Sequence, residues 1–205
     1  SRYRLVDWDS RADVRAPRLG ESILVINADK FEPELEDRDS KLIVEFYRAG
    51  WKRFIVINLT GQRFHGVGLG PGTRGTRIDC YGSTGDYLAS GIDGLEIYVH
   101  GDAQDQLGQI MKSGKLVIYG NVGQTFMYGA KGGEVYILGN AAGRPLINGV
   151  GKPRVVIHGT CLDYLAESFM AGDPLNGGGF VVLNGFEYDE RGKMKVLKRP
   201  YAGGN

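Results

Sequence analysis

The sequence predicts an all-β fold: a single-stranded right-handed parallel β-helix of about seven coils, with a small α/β cap at its N-terminal end. Three observations point there. A glycine-marked unit repeats along the chain, apolar residues alternate ahead of each marker, and glycine is about twice as common as its usual ~7%. The markers fall at Asn58, Gly82, Gly101, Gly120, Gly139, Gly159 and Gly185, separated by 24, 19, 19, 19, 20 and 26 residues. A fixed period near 20 describes one supersecondary unit that cannot bury its apolar face alone and stacks on copies of itself.

Alignment on the marker gives each coil its strand. Four residues before it stand Phe54, Ile78, Ile97, Leu116, Val135, Val155 and Val181, and two before it Val56, Cys80, Val99, Ile118, Ile137, Ile157 and Leu183. Two after it stand Thr60, Thr84, Ala103, Val122, Ala141 and Cys161, all small or β-branched. Alternate apolar positions are the signature of a strand with one buried face, and no block offers the spacing of a helix. Parallel strand-to-strand crossovers are overwhelmingly right-handed, which sets the winding. The 33 glycines sit at the expected corners, such as Gly132-Gly133 and Gly177-Gly178-Gly179, where a bend needs positive φ or close backbone approach. Strand-forming blocks between them and 42% hydrophobic residues argue against a disordered chain.

A chain of 205 residues is long enough for a full core, and the repeat favours one elongated domain. Net charge is +1, so no global field draws it to nucleic acid or an anionic membrane. No apolar run approaches the ~18 residues of a membrane span, and no secretory signal stands at the start. Cys80 and Cys161 fall in interior columns several coils apart. They read as small core residues, unpaired, in a reducing cytoplasm. The chain opens on Ser1 without methionine and closes on a glycine pair, Gly203-Gly204, that resembles a coil corner cut short, so a fragment or a separately encoded piece is expected.

Residues 1–50 read as the N-terminal extension and cap, 51–188 as the β-helix and 189–205 as a C-terminal hairpin and tail. Ser22 to Ile26 is a short strand. Asp39-Ser40 is placed to N-cap a helix from Lys41 to Ala49, closed by Gly50, with Leu42, Ile43, Phe46 and Tyr47 as its apolar face. Such a helix would cover the unpaired backbone at the end of the stack. Phe180–Tyr188 and Lys193–Lys198 flank Asp189-Glu190-Arg191-Gly192 and read as a hairpin.

Candidate chemistry is thin. The run Gly66-Val-Gly68-Leu-Gly70-Pro-Gly72 resembles a phosphate loop, but Thr73–Thr76 leads straight into a strand where a dinucleotide site needs a helix, so it reads as the insertion that lengthens this coil. Of the three histidines, His65, His100 and His158, the last two share an outward column three coils apart, too far to share a metal, and they read as exposed ladder residues. Asp102, Asp105 and Asp163 are spaced like calcium carboxylates. With Asn121, Gln124 and Asn140 at the same offsets, they read instead as corner ladders serving backbone amides. No Cys-x-x-Cys pair is present, which excludes iron–sulfur or zinc sites built from this chain alone, and no catalytic, cofactor-binding or metal residue is expected in it.

The outward columns are more informative. Three before the marker stand Ile55, Asp79, Tyr98, Val117, Tyr136, Val156 and Val182, and one before it Ile57, Tyr81, His100, Tyr119, Leu138, His158 and Asn184. A solvated strand face should be polar, and these columns are mostly aromatic or aliphatic. A patch that spans several coils exceeds what a lone soluble domain exposes. Tyr98, Val117, Tyr119, Tyr136 and Val156 are therefore the candidate partner interface.

Gly101-Asp-Ala-Gln-Asp-Gln-Leu-Gly108, Met111-x-x-Gly114 and Leu116-x-Ile118-x-Gly120-Asn-Val-Gly123 together resemble the GXGXG β-helix at the C-terminus of the glutamate synthase large subunit. They also resemble stand-alone glutamate synthase domain-3 proteins and the C subunit of formylmethanofuran dehydrogenase. Gly159-Thr-Cys-Leu-Asp-Tyr-Leu, Gly178-Gly179-Phe-Val-Val-Leu and the lead-in Asn58-Leu-Thr-Gly-Gln-Arg-Phe64 fit the same pattern, which covers residues 52 to 185. Arg144-Pro145 and the insertion Pro174-Leu175-Asn176 depart from it. The resemblance implies a non-catalytic structural part of a glutamate-synthase-like complex, bracing a glutaminase that releases ammonia and an FMN barrel that makes glutamate from 2-oxoglutarate. FMN and iron–sulfur clusters are then expected in partner subunits, and a homo-oligomer is possible. The alternatives are the corresponding subunit of a formylmethanofuran dehydrogenase or formyltransferase complex and, from another class, a carbohydrate-active β-helix enzyme, for which the columns supply no clustered carboxylates.

Overall fold

The computed structural model describes residues 2–201, so the closing glycine pair lies outside the described residues. The strands are β1 (Arg2–Val6), β2 (Glu21–Asn27), β3 (Arg53–Thr60), β4 (Arg77–Ser83), β5 (Asp93–His100), β6 (Ser113–Ile118), β7 (Glu134–Ile137), β8 (Arg154–Ile157) and β9 (Phe180–Leu183). They form one nine-stranded sheet in chain order, and each neighbouring pair is parallel. This is a parallel β-solenoid of about eight turns with very little helix. The stack is longer than the glycine repeat indicates, because β1 and β2 extend the sheet into the segment expected to be only a cap.

The register reproduces the inward columns. Leu24, Phe54, Ile78, Ile97, Leu116, Val135, Val155 and Val181 pair in succession, and the six from Phe54 to Val155 are fully buried. Val181 and Leu183, on the last strand, are only partly covered, since no further coil lies on them. The first coil departs by one residue. Val56 pairs with Cys80 but Leu59 pairs with Gly82, so Asn58, which has φ 60, bulges out and Leu59 is the true marker. Thr60 is consequently exposed.

Two further corners complete each coil. At the first, side chains climb the stack. Asp102 accepts from the Asn121 amide at 2.7 Å, Asn121 from Asn140 at 2.8 Å and Asn140 from Thr160 at 2.9 Å. A second ladder runs from Asp86 to the Asp105 amide and from Asp105 to that of Gln124. The ladders explain the markers Gly120 and Gly159 and the corner glycine Gly123. A Cβ on Gly120, Gly123 or Gly159 would stand 2.2, 2.0 or 2.0 Å from the oxygen of Asp102, Asp105 or Asn140. None of the three has positive φ; they are glycine because the ladder needs the room.

The remaining corner has a different backbone. The fifth, seventh and ninth residues after each of the first six markers are left-handed: Phe64, Gly66, Gly68; Tyr87, Ala89, Gly91; Gln106, Gly108, Ile110; Thr125, Met127, Gly129; Arg144, Leu146, Asn148; and Tyr164, Ala166, Ser168. The first set fits only when counted from Leu59. Their amides bond alternately to the coil after and the coil before, as in Thr125 to Gly143, Met127 to Leu107 and Gly129 to Ile147. The Gly66–Gly72 run belongs to this corner and reaches β4 with no helix between.

Among the described residues one α-helix, α1 (Asp39–Arg48), connects β2 and β3, and a single 3-10 turn lies at Pro174–Asn176. It begins two residues earlier than the sequence predicts. Asp39 is not its N-cap, because Arg38 holds that position and the buried Asp39 carboxylate instead meets the buried His65 Nε2 at 2.6 Å. Leu42, Ile43 and Phe46 face the core as expected, and Arg38 lies over the Phe64 ring of the first coil. The expected hairpin starts later than predicted. Gly185, with φ 72, breaks the segment, leaving Phe180–Leu183 in the main sheet while β10 (Phe186–Tyr188) pairs antiparallel with β11 (Met194–Val196). Both cysteines are free and buried, and burial pushes the Cys161 thiol up to about 11. Among the described residues no helix is long and apolar enough to cross a membrane.

Candidate functional site: the outward face of the sheet

Strand alternation sends three columns of each coil outward, and the register aligns them. The middle column runs Ile55, Asp79, Tyr98, Val117, Tyr136, Val156, Val182, so four of the five predicted interface residues stand in one line. Tyr119 stands in the adjacent column, next to Leu138. Tyr119, Tyr136, Leu138 and Val182 are 40–47% exposed, whereas Val117 is only 8% exposed and forms the floor between two tyrosines. Tyr81, His100 and Tyr119 stack ring on ring at 4.2 and 4.9 Å, so a single flat aromatic wall spans β4 to the end of β6.

Asp79 is the residue whose role the sequence did not reveal. It stands in the same column yet is buried. It accepts two bonds from Arg77 at 2.9 and 2.8 Å, one from His100 Nε2 at 3.0 Å, and an ion pair from Arg53 at 2.5 Å. Burial pushes its carboxyl up, but the Arg77 and His100 bonds and the Arg53 charge together outweigh that and hold it below its ordinary value. The same bonds raise the Arg77 guanidinium, which lies 3.8 Å from the Tyr98 ring centre. Burial raises the Tyr98 phenol, with the charge of Glu96 adding to it. A carboxylate paired in this way stiffens the face and presents two arginines along its edge. The available signal was Arg77-x-Asp79, two residues apart on one face of a strand with Arg53 opposite.

The third outward column, at the strand starts, is charged: Arg53, Arg77, Glu96, Lys115, Glu134, Arg154 in register. Glu96, Lys115, Glu134 and Arg154 line a groove of about 410 Å³ with Arg74 and Lys152. Among the described residues no ion pair links any of these side chains to another. The histidines are more enclosed than exposed ladder residues would be. His158 meets the Tyr188 hydroxyl at 3.1 Å and the Phe186 ring at 4.6 Å, so the hairpin rises at this rim of the face. Asp102 and Asp105 belong to the amide ladders, as expected.

A family model described as GXGXG motif matches residues 52–187. The chain belongs to that family. No curated protein and no solved structure matches the chain with significance. The family is the type of domain found at the C-terminus of glutamate synthase. The matched span of this GXGXG domain begins just before β3 and ends within β10, so it takes in the outward face from Ile55 to Val182 and leaves β1, β2 and α1 outside.

Proposed function

We propose that this GXGXG chain is a non-catalytic structural subunit or domain of a glutamate-synthase-like complex, bracing and coupling a glutaminase and an FMN-dependent synthase, with the outward sheet face as its assembly surface. The observation that carries this reading is the apolar and aromatic stripe from β4 to β9, contiguous and half exposed. Soluble domains rarely leave such a patch bare, and aromatic anchors in an apolar surface are typical hot spots. The catalytic groups, FMN and iron–sulfur clusters belong in this reading to the partners. The same reading gives this chain a right-handed winding and a capping role for α1, which the contact of Arg38 with Phe64 supports. Two free buried cysteines suit a reducing cytoplasm.

Native isolation with partner identification should recover a class of glutaminase and an FMN synthase. The double variant Tyr98→Ser, Tyr136→Ser should keep its fold and lose association, read as elution volume and partner capture. Purified chain that converts glutamine and 2-oxoglutarate unaided would overturn the structural role. A double variant that loses melting temperature while association is unchanged would overturn the assembly role of the face.

A further inference from the structure

The outward face is self-complementary. The relevant symmetry operation is a two-fold axis parallel to the strands, placed above the sheet midway between β6 and β7. It brings a second copy face to face with its coils running in the opposite order, so that each column meets the same column and β6 meets β7, β5 meets β8, and β4 meets β9. In the charged column this sets Lys115 against Glu134 and Glu96 against Arg154. In the middle column it sets Val117 against Tyr136 and Tyr98 against Val156, one small side chain against one large in both pairs, while the buried Asp79 meets Val182. In the third column Tyr119 meets Leu138. In these rows every carboxylate of the charged column meets a cation, His100 meets His158, and the exposed Tyr136 falls opposite the recessed Val117. A two-fold interface requires one patch to complement itself in this manner.

We infer that the occupant of this face is a second copy of the chain, related by that axis. The inference rests on the assembly reading above and names its partner. Charge complementarity favours the copy over an unrelated partner. Among the described residues Glu96, Lys115, Glu134 and Arg154 form no ion pair, Glu96 accepting only from the Tyr98 hydroxyl at 3.2 Å, and each finds its opposite charge across the axis. Aligned sheets pack at about 10 Å, which suits facing side chains of this size. Six strands at about 4.8 Å and six residues at about 3.3 Å span roughly 600 Å² per copy, at the lower end of specific interfaces, so the dimer dissociates on dilution. The hairpin bounds the face at His158. Tyr188, Met194 and Val196 on it are half exposed or more, and in the dimer they flank the rim of the other copy near Tyr81. Strands β1–β3 overhang the contact and stay free for the catalytic partners.

The test uses the full chain and charge reversals that meet only across the axis. Lys115→Glu leaves Glu facing Glu134 twice in its own homodimer, and Glu134→Lys leaves Lys facing Lys115 twice. Each variant should remain folded by circular dichroism and raise the dimer dissociation constant by about a hundredfold. Mixed one to one, they present two Glu–Lys pairs across the axis and should form a heterodimer, read by sedimentation velocity and native mass spectrometry. Lys115 and Glu134 are also register neighbours within the chain, and each variant sets like charges side by side there in every copy, mixed or not, so only contact between copies explains rescue on mixing. Where either variant fails to fold, Glu96→Arg with Arg154→Glu tests the same axis. Wild-type chain that is monomeric at every attainable concentration overturns the inference. A wild-type dimer whose variants are not rescued on mixing overturns the axis. If the wild type is monomeric but Tyr98→Ser, Tyr136→Ser still abolishes capture of a heterologous partner, the second copy is excluded while the assembly reading stands.

Discussion

Each coil turns through two corners that solve one problem in opposite ways. At the ladder corner the Asp102, Asn121 and Asn140 side chains hold the next coil's amide, and glycine clears the space they need. At the left-handed corner the backbone bonds to both neighbouring coils by alternating its conformation, and most of the left-handed residues there are not glycine. An L-residue in that region gives up about 1–2 kcal/mol, a cost repeated at every second residue and offset by hydrogen bonds to both neighbours. At the ladder corner glycine therefore marks close approach and not strain.

The largest effect should come from inverting that rule at the ladder. Gly159→Ala places a Cβ 2.0 Å from the Asn140 oxygen and 2.6 Å from the Gly139 carbonyl. The ladder bond to Thr160 must break or the coil must shift, at a cost of about 3 kcal/mol. Gly129→Ala, at the left-handed corner, meets nothing closer than 3.8 Å and takes only the conformational cost of φ 62, about 1 kcal/mol. Thermal melts should separate the two by several degrees. Equal losses would mean that backbone strain, and not ladder space, governs both corners.

A smaller effect tests the rung itself. Asp102→Ala removes the acceptor of the Asn121 amide and leaves water to replace it at an exposed corner. The loss should be about 1 kcal/mol, or roughly 2–4 °C in melting temperature for a chain of this size. Asp102→Asn keeps the acceptor and should melt like the wild type. A full loss in the Asn variant would point to the charge of Asp102, and not its hydrogen bond, as the stabilising feature.

The two corners also differ in how readily the sequence discloses them. The sheet columns were legible because aliphatic residues recur two and four positions before each marker, and the ladders because Asp and Asn recur at one offset. The first marker was misplaced by one, since the bulge at Asn58 leaves no trace in the apolar spacing. Strand β1 was missed because Arg4 occupies an inward column, its guanidinium over the Phe46 ring of α1. The left-handed side was invisible for a physical reason. It buries two consecutive residues per coil, as in Leu88 with Ala89 and Phe126 with Met127, a pattern that fits neither the period of a strand nor that of a helix. At the candidate site the apolar stripe was readable as a column property. The Asp79 cluster was not, because it joins Arg53, Arg77 and His100 from three strands.

The smallest effect has the opposite sign and isolates the left-handed corner. Thr125 is β-branched at φ 58, a combination that L-residues rarely adopt. Thr125→Gly relieves about 1–2 kcal/mol of conformational cost in the folded chain and returns about 0.5–1 kcal/mol through the greater freedom of the unfolded one. The net should be a gain of about 0.5 kcal/mol, with a melting temperature unchanged or slightly raised. The Thr125 amide still bonds to the Gly143 carbonyl of the next coil, so glycine breaks no connection between coils. Thus the same change toward glycine that is tolerated here mirrors the change away from glycine that should be costly at Gly159. If Thr125→Gly instead lost as much as Gly159→Ala, the half-buried Thr125 side chain would be what holds this corner, and the division between a side-chain corner and a backbone corner would fail.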